Sequence, residues 1–185
     1  MNEKIIMAGF GGQGVMLIGQ LLTYAGMYEN KEVSWLPSYG PEMRGGTANC
    51  HVCISDKPIS SPIISKATSA IIMNNLSLTK FEPMLIEGGD LFVNASLVDI
   101  EAERSDINIY KLDANSIAES AGSSRSMNMA MLGAYFGKHP CVSLKTVERV
   151  LTQTMTGSRA HFVPINMQAL SLGIEMVQSG QALAR

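Results

Sequence analysis

Apolar residues fall in short unbroken runs over the first part of this chain and at helical spacing over the last, and that change of period predicts its layout. Ile5, Ile6, Met7 and Ala8 make an apolar run closed by glycine, the pattern of a buried strand. Beyond the glycines, Val15, Ile18, Leu22 and Ala25 recur with a helical period. Val33-Ser34-Trp35-Leu36 reads as a second strand running into Pro37. Ala48–Ile54 and Ile59–Ile63 flank Asp56-Lys57-Pro58, a turn signal, which predicts a hairpin at a sheet edge where Pro58 and Pro62 need no ladder donor. Ala70–Met73 predicts another buried strand and Leu76–Phe81 a short helix before Pro83. Glu87-Gly88-Gly89-Asp90 reads as a turn into Leu91-Phe92-Val93, and Ile107–Leu112 as the last strand.

From Asp113 onward the pattern is helical. Asp113 caps a helix over Ala114–Ala121 that stops at Gly122. Met127–Phe136 is apolar on nearly every face apart from Asn128, so that helix must be buried all round. Ser143 caps a third helix with Leu144, Val147 and Leu151 inward, and Pro164 opens a fourth whose stripe is Ile165, Ala169, Leu172 and Met176. Strands alternating with helices, then a helical tail, predict one α/β domain over 1–185. It is expected to be a three-layer, Rossmann-like domain with a mostly parallel sheet, an edge hairpin and a helical C-terminal part.

Gly9, Gly11 and Gly14 spell G-x-G-x-x-G between the first strand and helix, and with Gly12 and Gln13 they place backbone N–H groups at a helix N-terminus. Such an end attracts anions, because its first amides lack partners and the peptide dipoles add. A dinucleotide site would also need a carboxylate ending the second strand. Here Glu29 and Glu32 precede that strand, the wrong place for NAD. A bound phosphate and a bare turn whose glycines only permit close packing both fit these residues, with positive φ expected at Gly11.

The net charge of −2 and pI near 5.9 give no electrostatic case for nucleic acid. Charged residues make up only 16% of the chain while methionine numbers 13, which suggests a surface partly covered by another chain. The N-terminal run lacks a secretory pattern and no stretch is long enough to span a membrane, so a cytoplasmic protein is expected. Cys50 and Cys53 form C-x-x-C, but in a strand they would face opposite ways, and His139, Cys141 and His161 supply no second close pair. No metal site and no iron–sulfur cluster are therefore expected in this chain.

Pro37–Gly46 mixes prolines and glycines with Tyr39, Glu42, Met43 and Arg44, a loop whose large side chains suggest that it is held against something. Arg44 could offer its fork to a carboxylate or phosphate, or pair with Glu42. Asn128 and Asn166 read as capping or core-network amides, with ligand contact the sharper option. His139 and His161 have no acid at catalytic spacing, and Ser38 lies in no nucleophile elbow. No catalytic residue is expected.

G-F-G-G-Q-G-V with Gly19 and Leu22, then S-Y-G-P-E-M-R-G-G-T-A-N-C from Ser38 to Cys50, resembles the gamma subunit of 2-oxoacid:ferredoxin oxidoreductases. N-M-x-x-L-G from Asn128 and N-x-x-A-L-x-x-G from Asn166 extend the resemblance over nearly the whole chain. It implies a non-catalytic subunit, inactive in isolation, beside alpha and beta subunits and a ferredoxin-like subunit. The complete enzyme would oxidatively decarboxylate a 2-oxoacid, most like 2-oxoglutarate, to its acyl-CoA, with thiamine diphosphate and iron–sulfur clusters in the other chains. Pyruvate, branched-chain 2-oxoacid and indolepyruvate versions stay open. By the same resemblance, Gly9, Gly11, Gly12, Gln13 and Gly14 are candidate coenzyme or anion contacts, and Tyr39, Pro41, Glu42, Met43, Arg44, Gly45 and Gly46 candidate interface residues. The alternative is a stand-alone Rossmann-type nucleotide-binding dehydrogenase or regulator.

Overall fold

The structure is a computed structural model that describes residues 1–39 and 47–184. In chain order its elements are β1 (Asn2–Phe10), α1 (Val15–Tyr28), β2 (Glu32–Ser38), β3 (Thr47–Ser55), β4 (Ala67–Ile72), α2 (Asn75–Phe81) and β5 (Leu85–Asn94). There follow β6 (Asn108–Leu112), α3 (Ala114–Ser120), α4 (Met127–Lys138), α5 (Leu144–Thr154), α6 (Phe162–Gln178) and β7 (Leu183–Ala184).

The strands form one sheet in the order β2-β3-β1-β4-β5-β6-β7. Pairing is parallel from β1 through β4 and β5 to β6, and antiparallel at β2–β3, β3–β1 and β6–β7. β3 and β7 therefore run against the other strands, and the α/β class with helices on both faces is as expected. The antiparallel hairpin at the edge is β2 with β3, in register from Glu32 opposite Ser55 to Ser38 opposite Asn49. Residues 59–63 are not a strand, which corrects the expected hairpin. Pro58 just before them and Pro62 within them lack ladder donors, and β1 and β2 already occupy both edges of β3. β6 is not the last strand either, because β7 pairs beside it.

Alternation along the strands separates two cores. Ile5 and Met7 face the side covered by α1 and α4, and Ile6 and Ala8 face the side covered by α2. Cys50 joins the first cluster and Cys53 the second, so the two thiols diverge as a strand requires. Glu87–Gly89 lies within β5 as a bulge rather than a turn: the register steps from Ala67 opposite Leu85 to Ser69 opposite Asp90. Gly88, at φ 70°, makes that step possible.

The helices follow their local signals. Asp113 accepts a hydrogen bond from the Ser116 N–H at the start of α3, and the Ser143 side chain accepts one from Thr146 N–H at the start of α5. α4 is buried without a break from Asn128 to Phe136, because it lies between the sheet and α6. Within α5 the inward residues are Val147, Val150 and Leu151, whereas Leu144 is 40% exposed, a correction to the expected stripe. The buried seam of α6 is likewise Asn166, Ala169, Leu170 and Gly173. Ala169 is buried as expected, but Asn166, Leu170 and Gly173 take the places expected for Ile165, Leu172 and Met176, and Gly173 is there because α4 and α6 cross almost backbone to backbone. A Cβ added at Gly133 would lie 2.8 Å from the Leu170 carbonyl carbon, and one at Gly173 would lie 3.0 Å from Ala134 N. The late N-M-x-x-L-G and N-x-x-A-L-x-x-G motifs are thus the two halves of one helix crossing.

Candidate functional site

β1 turns into helix α1 on one face, whereas its parallel neighbour β4 turns into α2 on the other. The carboxyl ends of β1 and β4 therefore flank the crevice where open α/β sheets bind ligands. The glycine turn fills the β1 side of it. Gln13 N–H donates to the Phe10 carbonyl at 3.2 Å, while the Gln13 side-chain oxygen accepts from Phe10 N–H at 2.6 Å, so one residue closes the turn twice. A Cβ at Gly9 would meet that side-chain oxygen at 2.5 Å and Met73 Cβ at 2.8 Å. Gly9 is therefore demanded by close packing of the two strand ends.

Positive φ falls on Gly12 (89°) and Gly14 (78°), not on Gly11 as expected. Gly12 faces open space, and a Cβ on Gly14 would lie 2.9 Å from Asn128 Cγ. Among the described residues, no side chain caps α1 and its first turn holds no acid, so the positive end of the helix is not neutralised locally. Gly9, Gly11, Gly12, Gln13 and Gly14 are thus brought together in one turn. Gly12 leaves open space where a side chain would stand, and none of these five residues carries a nucleophilic or basic side chain.

Tyr39 follows β2 at the same end of the sheet as Phe10 and Leu76, and these are 73%, 39% and 55% exposed. Exposed apolar side chains gathered at one end of a sheet are the sort of surface a partner covers. Pro41, Glu42, Met43, Arg44, Gly45 and Gly46 lie outside the described residues. Among the described residues a dinucleotide geometry is not built. β3 stands between β1 and β2, Glu32 opens β2 rather than closing it, and the Glu29 carboxylate accepts Ser143 N–H at 2.8 Å.

The two amides are core-network residues. Asn128 Nδ2 donates to the Gly14 carbonyl at 3.2 Å, and the Asn166 side-chain oxygen accepts from Ser126 Oγ at 2.7 Å. What the spacing of residues missed is at the opposite, amino end of the strands. His139 Nε2 lies 2.8 Å from Asp90 and 3.4 Å from Ser69 Oγ, and its Nδ1 lies 3.7 Å from Glu3. Parallel register delivers Glu3, Ser69 and Asp90 side by side beneath the end of α4, so acids do reach this histidine. A signal was present, since Ser69 and Asp90 each stand just before an apolar run and Glu3 just short of another.

This cluster is not a hydrolytic triad. Serine and aspartate share one ring nitrogen, leaving Nδ1 to a second carboxylate. Burial alone would lower the His139 pKa, but the hydrogen bonds to Asp90 and Glu3 outweigh it and raise the value to about 9. Protonated and held between two acids, the ring is no general base. It ties α4 to the sheet, on the side away from the glycine turn.

The fold is an α/β domain with a glycine-rich strand-to-helix turn between its first strand and first helix. The pyruvate ferredoxin/flavodoxin oxidoreductase family model matches residues 4–176, and the chain belongs to that family. Among its relatives, the 2-oxoglutarate synthase subunit KorC of Methanocaldococcus jannaschii is 32% identical over 181 residues, 96% of this chain and 95% of that one. The ketoisovalerate oxidoreductase subunit VorA of Methanothermobacter marburgensis is 36% identical over 130 residues, 70% of this chain but only 27% of VorA. This chain thus spans about a quarter of that longer relative.

Among solved structures, a keto/oxoacid ferredoxin oxidoreductase gamma subunit from Geobacter sulfurreducens superposes with a TM-score of 0.81 at 26% identity, over 96% of this chain and 99% of that one. The 2-oxoglutarate:ferredoxin oxidoreductase from Magnetococcus marinus, solved with 2-oxoglutarate, coenzyme A and succinyl-CoA bound, shares the fold with a TM-score of 0.84 at 20% identity. That match covers 96% of this chain and 31% of that one.

Proposed function

We propose that this chain, as a single gamma-type domain over 1–185, is the gamma subunit of a cytoplasmic, thiamine-diphosphate-dependent 2-oxoacid:ferredoxin oxidoreductase of the 2-oxoglutarate type. The observation that carries the reading is the end-to-end correspondence with KorC, against a match to only part of VorA. Alpha, beta and ferredoxin-like subunits would complete the enzyme and hold thiamine diphosphate and iron–sulfur clusters. The buried, diverging cysteines of this chain suit that division of labour.

In the complete enzyme, coenzyme A supplies the thiol that carries off the acyl group. The glycine turn fits one of its phosphates, because Gly12 leaves open space where a side chain would stand and the adjoining helix end is positive. Gly9, Gly11, Gly12, Gln13 and Gly14 would hold it there without supplying a reactive group. The segment from Tyr39 through Pro41, Glu42, Met43, Arg44, Gly45 and Gly46 would line the junction with the catalytic subunits. Exposure of Phe10, Tyr39 and Leu76 at that end of the sheet supports this placement.

Omission tests the reading. The complete complex should form succinyl-CoA from 2-oxoglutarate with reduction of ferredoxin, and leaving out this chain should abolish or strongly reduce the rate. NADH titrated into the isolated chain should show no micromolar binding. Tight NADH binding, with a complex indifferent to omission, would favour the stand-alone dehydrogenase.

A further inference from the structure

We infer that the outer edge of β2 is a self-association surface, pairing antiparallel with β2 of a second copy of the chain about a two-fold axis at Trp35. The inference stands apart from the glycine turn and from the subunit assignment.

β2 ends the sheet, so among the described residues only β3 pairs with it. None of its seven residues is buried. Register decides which of its backbone groups face outward, because the N–H and C=O of one strand residue point to the same side and alternate from residue to residue. Met73 N–H donates to the Ala8 carbonyl at 2.8 Å, so even-numbered residues of β1 point to β4 and odd-numbered ones to β3. Met7 opposite Cys50 then turns the even-numbered residues of β3 toward β1 and the odd-numbered ones toward β2. The bond from Asp56 N–H to the Met1 carbonyl agrees with that parity. Ser34 with Cys53 and Leu36 with His51 are thus bonded pairs, and Val33, Trp35 and Pro37 present their peptide groups to the outside.

Over those three residues the edge offers the Val33 and Trp35 N–H groups and three carbonyls, since proline has no N–H. Trp35 is the midpoint of Glu32–Ser38, so a two-fold axis there overlaps the whole strand with its own copy. Trp35 N–H then donates to the Trp35 carbonyl of the second copy, and Val33 N–H to its Pro37 carbonyl. Both donors are used, and the missing proline donor leaves idle only the Val33 carbonyl. Glu32, the single charged residue of the strand, falls opposite Ser38 and not opposite itself, so the like charges of the two copies stay apart. Edges that must remain unpaired usually carry lysines or a covering element, and β2 has no lysine.

The side chains match over the same register. On one face Trp35 meets Trp35 and Val33 meets Pro37; on the other, Leu36, 38% exposed, lies diagonal to its own copy. Helix α1 widens the first face. A Cβ at Gly19 would lie 3.2 Å from Trp35 Nε1 and one at Gly26 would lie 2.6 Å from Val33 Cγ1, so the helix runs along this edge. Its flank toward the core holds Ile18, Leu22 and Ala25, all fully buried, whereas the opposite flank holds the uncharged Met16, Gln20 and Met27, the last 54% exposed. Flexible thioethers suit a surface that repacks against its own copy. Any extended strand could meet the backbone donors. Apolar against apolar and acid against serine over the full length select a second copy.

The full chain tests this by sedimentation over about 1–100 μM, with emission from Trp35, its single tryptophan, followed on dilution. A dimer is expected whose dissociation exposes Trp35 and moves its emission to longer wavelength. Leu36→Lys sets like charges across the axis and should raise the dimer Kd about tenfold or more, as should Leu36→Glu. An equal mixture of the two variants should recover the dimer, because each lysine then faces a glutamate. If neither variant folds, the emission of the parent chain on dilution decides.

A parent chain that is monomeric across this range overturns the inference. So does a dimer that both variants leave intact, or one that dissociates with no change in Trp35 emission, since its interface then lies elsewhere. A monomer whose Trp35 emission moves to shorter wavelength only when alpha and beta subunits are added would assign the edge to another chain and overturn the second copy.

Discussion

Gly133→Ala gives a test of sign as well as size. In an exposed helix this change stabilises by about 1 kcal/mol, because alanine has the higher helix propensity. Here the added methyl would sit 2.8 Å from the Leu170 carbonyl carbon and 3.0 Å from its Cα, with the Leu170 oxygen nearer still. These are backbone atoms, so no side chain can swing aside. Restoring ordinary carbon contacts of about 3.5 Å requires α4 and α6 to separate by roughly 0.5–1 Å along the crossing. Overpacking of this kind costs about 1–3 kcal/mol, and the seam it opens contains Ala130, Ala134, Ala169 and Leu170, all fully buried. Net of propensity, the expected loss is up to about 2 kcal/mol, or a Tm lower by up to about 8 °C.

Gly173→Ala should act alike, since its methyl would meet the Ala130 carbonyl and Ala134 N. The double variant should cost clearly less than the sum, because one separation accommodates both methyl groups. Urea unfolding followed by circular dichroism reads all three variants. A Gly133→Ala chain more stable than the parent would refute the backbone-to-backbone crossing.

Other outcomes follow from particular contacts. His139 is raised from 6.5 to about 9, so its contribution to stability should be complete below about pH 6.5 and lost as pH climbs through 9. The shift corresponds to roughly 2–3 kcal/mol after allowing for partial exposure, and His139→Gln should remove both the stability and its pH dependence in unfolding curves between pH 6 and 10. A parent protein with constant stability over that range would contradict the Glu3–His139–Asp90 bridge. Burial pushes the thiols of Cys50 and Cys141 up to about 12 and about 11, so a thiol reagent should label them only after denaturant is added. Fast labelling of the folded chain would be incompatible with that burial. Ser143→Ala removes the acceptor for Thr146 N–H and should cost about 1 kcal/mol, read as an equal fall in unfolding free energy; no change would mean that the cap is idle.

Features written into neighbouring residues were legible in the sequence. The Ile5–Ala8 run, its glycines and the helix after them emerged as β1, turn and α1, and Asp113 and Ser143 cap their helices as expected. Divergence of Cys50 and Cys53 followed from the period of a strand alone. The features missed depend on partners distant in sequence. Ile59–Ile63 has strand-like composition, yet both edges of β3 are taken by β1 and β2. Glu87–Gly89 looked like a turn because a bulge uses the same glycines, and only the register with β4 tells them apart. The α6 stripe expected from spacing includes Ala169 but not Gly173, because only the contact with α4 shows that no side chain fits at that position.

The candidate site divides the same way. Its glycines could be named at once, but their separate duties could not: Gly9 for strand packing, Gly12 and Gly14 for backbone conformation. That Asn128 supports this turn was beyond reach without the fold, because the contact spans 114 residues. The histidine bridge was hidden for the same reason.

The most direct test of the subunit assignment is to isolate the chain under mild conditions from its native cells, identify what comes with it, and offer that material several 2-oxoacids together with coenzyme A and ferredoxin. The predicted result is a thiamine-dependent pair of chains in stoichiometric amount and fastest turnover with 2-oxoglutarate. A chain that purifies alone and oxidises a 2-oxoacid unaided, or with NAD as acceptor, would contradict it.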